Sequence, residues 1–301
     1  MDVTFPTIGE NDAALAQRPT ILRADAFAGK VILVSGGGSG IGRASAILFA
    51  RLGASLVLCG RDEAKLASAQ EFLARFGANV MIRPMTIRDP EAVGALFDHV
   101  WDEHGGLDLL VNNAGGQFAQ ATMDISPRGW NAVIDTNLSG TFFMMQAAAR
   151  CWRAAGRPGR IVNVVAAIWR EMPQVAHTCA ARAGVVFLTK TVATEWAPFG
   201  IRANCVAPGT IRTEGFANYS EAGRASFTQA NPMLRAGDPW DIAEAIAYLG
   251  SDAAGFVTGE TLNVDGGGQN WGDPWFVGRP DYFELDYAAS RLPQTAETQA
   301  R

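Results

Sequence analysis

Residues 177–184 read HTCAARAG. Within them stand an imidazole at His177, a hydroxyl at Thr178 and, one helical turn on, a guanidinium at Arg182. A spacing of four puts Thr178 and Arg182 on one helix face. A hydroxyl at this place can donate a hydrogen bond to an oxygen that gains negative charge during a reaction. His177 is the only titratable imidazole near them and could supply a proton around neutral pH. Arg182 cannot, because it stays charged.

A second group of residues is suited to phosphate. The stretch VSGGGSGIGRA places Gly36, Ser39, Gly40, Ile41 and Gly42 directly after an apolar strand and at the opening of a helix. Pyrophosphate needs free backbone N–H groups at a helix N-terminus and a loop without Cβ atoms. The strand–turn–helix context gives this glycine triplet its meaning. The second strand then ends in Cys59-Gly60-Arg61. An acidic side chain at Gly60 would accept from the adenosine ribose diol of NAD(H). Glycine cannot, and Arg61 can pair with a 2′-phosphate, so the expected cofactor is NADP(H). NAD(H) is the alternative, with Asp62 on the diol. Asp62 is better explained as the N-cap of the next helix.

Seven short apolar runs alternate with helical patterns: 30–36, 55–60, 79–85, 107–115, 159–167, 201–209 and 260–268. Asp89 followed by Pro90 marks a helix start between the third and fourth runs. Continuous Val/Ile/Leu strands between helices predict an α/β fold: a single-domain, Rossmann-type, doubly wound parallel seven-stranded sheet with helices on both faces. The expected layout is an arm over 1–26, the catalytic domain over 27–268, and an aromatic extension with a polar tail over 269–301.

Composition narrows the partners. Net charge is −5 with no basic stripe, which argues against nucleic acid and anionic membrane. No apolar run has the length of a membrane span, and the acidic N-terminus is not a secretory signal. Four scattered cysteines with no C-x-x-C pair read as reduced thiols, which predicts a cytoplasmic protein. The three histidines lack metal-ligand spacing, so no metal is expected.

GGGSGIG, NNAG (112–115), Asn137 in TNLSG and PGTIRT (208–213), in that order, resemble the short-chain dehydrogenase/reductase family over about residues 27–268. VNNAGGQF, AARAGV and LTKTVATEWAPFGIRANCVAPG are most similar to its peroxisomal trans-2-enoyl-CoA reductase branch. The resemblance implies that Asn113, Ala114 and Gly115 line the adenine and ribose side of the cofactor. It implies that Pro208, Gly209, Ile211 and Thr213 close over the nicotinamide. It also implies a homodimer or homotetramer acting on a small molecule.

The departures from that pattern are specific. The family's tyrosine is replaced by Thr178, its lysine by Arg182, and the serine thirteen residues before the tyrosine by Val165; only Asn137 of the four stands. The branch's substitute tyrosine falls at Val186. Ketone reduction makes an alkoxide that needs a strong, well-placed acid. Conjugate reduction puts charge on a thioester oxygen, which needs donors more than acid. The expected function is therefore NADP(H)-dependent reduction of an activated C=C in an enoyl-thioester-like substrate. Thr178 is the expected donor, His177 a proton source, and Arg182 the residue that holds the nicotinamide ribose. Trp169 and Met172 are expected to wall the pocket beside Val165, and Tyr219 is a fallback acid. Reduction of a ketone or oxidation of an alcohol by an atypical site is one alternative. A non-redox lyase or isomerase, or an inactive nucleotide-binding subunit, is another.

Overall fold

The computed structural model describes residues 11–169, 172–215, 221 and 231–270. Seven strands form one sheet in the order β3-β2-β1-β4-β5-β6-β7, and every pairing is parallel. They are β1 (Val31–Ser35), β2 (Ser55–Gly60), β3 (Val80–Pro84), β4 (Leu109–Asn112), β5 (Gly159–Val164), β6 (Ile201–Pro208) and β7 (Thr261–Val264). The central register sets Ile32 opposite both Leu56 and Leu109. Several strands are shorter at their C-terminal ends than the apolar runs suggest. Residues 113–115 leave the ladder and become a loop, whereas 165–167 lie beyond β5 but keep backbone bonds to β6, from Val165 N–H to the Val206 carbonyl at 2.8 Å and from Ala167 N–H to the Pro208 carbonyl at 2.9 Å.

Helices cover both faces. Side chains alternate across a strand, so Ile32 and Val34 of β1 join one apolar cluster and Leu33 joins the other. The first cluster is closed by α2 (Gly40–Arg51), α3 (Glu63–Leu73) and the helix we number α8 (Pro239–Gly250). The second is closed by α4 (Pro90–His104), α6 (Thr141–Ala155) and α7 (Ala176–Trp196). Asp89 caps α4 by accepting from Glu91 and Ala92 N–H, with Pro90 at the first helical position. The short helix α5 (Pro127–Ile134) runs into a π-helical turn over Asp135–Gly140 that carries Asn137.

The segment before β1 carries a helix, α1 (Asp12–Gln17), with Leu15 in the core. Asp12 is ion-paired to Arg43 of α2, and Arg18 pairs with Asp238 at 3.0 Å. The chain divides into two units after Gln269.

In this strand order the chain turns back beside β1. The crevice at a topological switch lies beyond the C-terminal ends of the strands, here those of β1 and β4. The phosphate loop, the 113–116 segment, the residues after β5 and those after β6 all emerge there.

Candidate active site

The phosphate loop is built where β1 meets α2. Gly36 has φ +67° and Gly40 φ +52°, the left-handed region that favours glycine. A Cβ on Gly42 would stand 2.2 Å from the Gly36 carbonyl oxygen, so the loop folds directly against the first turn of α2. Ser39 is the N-cap of α2, yet its hydroxyl makes no capping bond. A bare backbone, a free hydroxyl and a helix N-terminus together fit the pyrophosphate of a dinucleotide. Ser35 supports the neighbouring turn: its Oγ accepts from Asn113 N–H at 3.1 Å and from Ala114 N–H at 3.0 Å. Asn113 Nδ2 in turn donates to the carbonyls of Ser35 and Gly36 at 3.1 and 3.2 Å. Nothing in the motif spacing points to Ser35 as a support.

Two cavities flank this loop. The first, of about 590 Å³, is lined by Gly36, Ser39, Gly60, Arg61, Ala114 and Gly115, with Lys65 beside Arg61. Arg61 is exposed and makes no ion pair or hydrogen bond among the described residues. Asp62 caps α3, accepting from Lys65 N–H at 3.1 Å. The first cavity has the composition of an adenosine and ribose site.

The second cavity, of about 660 Å³, is lined by Ile41, Asn113, Val165, Met172, Thr178 and Arg182. Pro208, Gly209, Ile211 and Thr213 close its other side. Gln117, Asn231 and Asp265 also reach it, although no motif flagged them. The carboxylate of Asp265 is held by the N–H groups of Gly267 and Gln269, at 2.9 and 2.8 Å.

Thr178 and Arg182 both line this cavity, as their four-residue spacing requires. Arg182 is buried. Its Nη1 donates to the Val164 carbonyl at 2.9 Å, and it makes no ion pair among the described residues. Burial pulls its pKa down to about 10, so it remains a cation at neutral pH. An uncompensated buried cation at a cavity wall favours a partner that carries, or develops, negative charge.

His177 lies elsewhere. It is fully buried, does not line the cavity, and meets the Phe118 ring edge-to-face with centroids 4.5 Å apart. Its Nδ1 lies 2.8 Å from the Thr178 N–H, which also donates to the Val175 carbonyl at 2.9 Å. Nε2 is buried and makes no hydrogen bond among the described residues. Burial lowers the imidazole pKa, and a backbone carbonyl, that of Val175, opposes the shift. The Thr178 hydroxyl lies 3.3 Å from the same nitrogen, within hydrogen-bond reach of it, on a residue that also lines the cavity.

Asn137 reaches neither cavity. Its Oδ1 accepts from Gly116 N–H and its Nδ2 donates to the Gly116 carbonyl, each at 2.9 Å. Both ends of the amide are spent on fixing the loop that carries Gly115. Trp169 also stands off the cavity wall. Its indole N–H donates to Asn263 Oδ1 at 2.6 Å and the ring is half exposed. Val186 is buried among Val165, Val185, Cys205 and Ala207 and offers no donor. Lys190 lies on the surface, its ammonium 5.4 Å from the centre of the Phe187 ring. Tyr219 lies outside the described residues. No His/Cys/Asp/Glu cluster able to hold a metal occurs among the described residues.

The family profile described as enoyl-(acyl carrier protein) reductase matches residues 36–269. The chain belongs to this short-chain dehydrogenase/reductase family, and it is an oxidoreductase of the nicotinamide-dependent kind. It is 37% identical over 251 residues to a probable 2,4-dienoyl-CoA reductase of Bacillus subtilis, covering 82% of this chain and 98% of that one. It is 37% identical over 241 residues to a 3-oxoacyl-[acyl-carrier-protein] reductase of Vibrio cholerae, covering 79% and 97%. Among solved structures, a citronellol catabolism dehydrogenase of Pseudomonas aeruginosa superposes with a TM-score of 0.75 at 37% identity, covering 84% of this chain and all of the other.

Proposed function

We propose that the chain is an NADP(H)-dependent reductase of an activated carbon–carbon double bond in an acyl thioester. The observation that carries this reading is the pairing of Thr178 with a buried Arg182, which has no ion pair among the described residues, on the second cavity. Two of the relatives above are named for acyl thioesters, and one of those for a dienoyl substrate.

When bound, the reduced cofactor supplies a hydride to the β-carbon of the enoyl group. Thr178 donates its hydroxyl proton in a hydrogen bond to the thioester oxygen as charge collects there. Arg182 holds the cofactor ribose and sets a positive potential beside that oxygen. Val165 and Met172 supply apolar wall and keep water from the acyl chain. Ala114 and Gly115 form the adenosine side, with Arg61 facing the 2′-phosphate. Asn137 acts as a positioning residue through Gly116. His177 fixes the Thr178 backbone and is assigned no proton transfer, because it is buried away from the cavity. Water protonates the α-carbon.

A cytoplasmic homodimer or homotetramer completes the reading. It is supported by four unpaired cysteines and by Phe187, an aromatic side chain exposed on α7. No described helix is long and apolar enough to cross a membrane.

The test is oxidation of NADPH, followed by its absorbance, with 2-enoyl, 2,4-dienoyl and 3-oxoacyl thioesters. Turnover of an unsaturated thioester in preference to the 3-oxo compound is expected. Faster turnover of the 3-oxoacyl thioester would overturn the reading in favour of carbonyl chemistry.

A further inference from the structure

An ion pair links a residue lining the first cavity to the segment that borders the second. Lys65 stands in the first turn of α3 and lines the adenosine-side cavity with Arg61. Its Nζ lies 3.0 Å from Oε2 of Glu214, which is 149 positions away in sequence. Glu214 sits between Thr213 and Gly215, and both of those line the second cavity. The phosphate loop passes close to Lys65 and to Thr213, the residue before Glu214. A Cβ on Gly38 would stand 3.1 Å from the Lys65 Cβ, and one on Gly40 would stand 3.5 Å from the Thr213 methyl.

We infer that Lys65 is a second cation for the 2′-phosphate of the cofactor, held in place by Glu214 until that phosphate arrives. This rests on the NADP(H) reading above. The Lys65 and Glu214 side chains are each about half exposed, at 49% and 61%. An exposed pair of this kind is weak and easily exchanged. A phosphate carries up to two negative charges and forms stronger, charge-assisted hydrogen bonds with an ammonium. Arg61, four residues before Lys65 and on the same cavity, adds a cation that Glu214 does not occupy. Asp62 adds no comparable competition, because its carboxylate caps α3. A nucleotide without the 2′-phosphate gives Lys65 no reason to leave Glu214. Glu214 thereby lowers affinity for the phosphorylated cofactor and leaves the other unaffected. It is a specificity-determining residue that need not touch the cofactor.

Calorimetric titration of the full chain with NADPH, NADH, adenosine 2′,5′-bisphosphate and 5′-AMP tests the inference without turnover. Glu214→Gln should tighten NADPH and the bisphosphate about two- to fivefold, the scale of an exposed pair, and leave NADH and AMP unchanged. Lys65→Gln should weaken the two 2′-phosphorylated ligands about tenfold and leave the others. The gain from Glu214→Gln should shrink in the Lys65→Gln background. Equal shifts for phosphorylated and unphosphorylated ligands would make the pair a structural strap and overturn the inference. A parent that prefers NADPH, loses that preference in Arg61→Asp and shows it undiminished in Lys65→Gln and no larger in Glu214→Gln would overturn this inference alone. A parent with no preference between NADPH and NADH would overturn the cofactor reading and this inference together.

Discussion

A Cβ on Gly115 would stand 2.2 Å from Nη2 of Arg182 and 3.1 Å from Oδ1 of Asn137. The guanidinium thus fills the space that any other side chain at 115 would take. The glycine of the NNAG motif and the arginine in the lysine's place form one unit. An arginine head is bulkier than an ammonium and needs that clearance.

Gly115→Ala should therefore damage activity more than stability. Nη2 ends a flexible side chain and can retreat, so the unfolding free energy should change by less than about 1 kcal/mol. The retreat takes the cation off its mark, and kcat/KM for the thioester should fall about 10–100-fold. Urea unfolding beside steady-state kinetics gives both numbers. A variant with unaltered kinetics would show that the position of Arg182 is immaterial.

Thr178 and Arg182 should separate kinetically. Thr178→Val removes a donor used in the transition state, so kcat should fall about 10²–10³-fold with little change in KM. Thr178→Ser should restore most of the rate. Arg182→Ala should also weaken NADPH binding. Normal kcat in Thr178→Val would remove the threonine from the chemistry.

Arg61→Asp should weaken NADPH by about 1.5–3 kcal/mol, the worth of a charge-assisted contact, and spare NADH. Fluorescence titration with each cofactor decides it. Equal losses for both would assign Arg61 no part in discrimination.

His177 should make the fold acid-sensitive. Its folded pKa lies below the ordinary 6.5, so the unfolded chain takes up the proton first. Stability from this group is intact above about pH 6.5 and is lost as pH falls from there toward the folded value. His177→Gln should remove that slope in urea midpoints between pH 7 and 5 (roughly the imidazole range) and cost little kcat at pH 7. A loss of kcat of about 10²-fold or more in this variant would return the proton-donor role to the imidazole.

Restoring the family pair, Thr178→Tyr with Arg182→Lys, should create or raise reduction of 3-oxoacyl thioesters, with Val165→Ser as an added step. A tyrosine beside an ammonium supplies the acid that an alkoxide requires. Fast 3-oxoacyl reduction by the parent chain would contradict the reasoning that links these substitutions to conjugate reduction.

The sequence by itself determined the sheet, the phosphate loop and the family. These rest on local signals: apolar runs of strand length, glycines where a backbone must turn left-handed, and motifs in fixed order. It also set Thr178 and Arg182 on one helix face, because the helical repeat alone requires that. Only the tertiary structure decided which face of α7 meets the cavity. One residue is about 100° of helix rotation, so His177 points at Phe118 while Thr178 points at the site. Hydrogen bonds to distant partners took Asn137 to Gly116 and Trp169 to Asn263, and so kept both off the cavity walls. The pairing of Lys65 with Glu214 was likewise invisible along the chain. It exists because a parallel sheet gathers the C-terminal ends of its strands at one end, which brings the start of α3, after β2, beside the segment after β6. Local propensity writes the elements, and packing between residues far apart in sequence selects which side chains face the site.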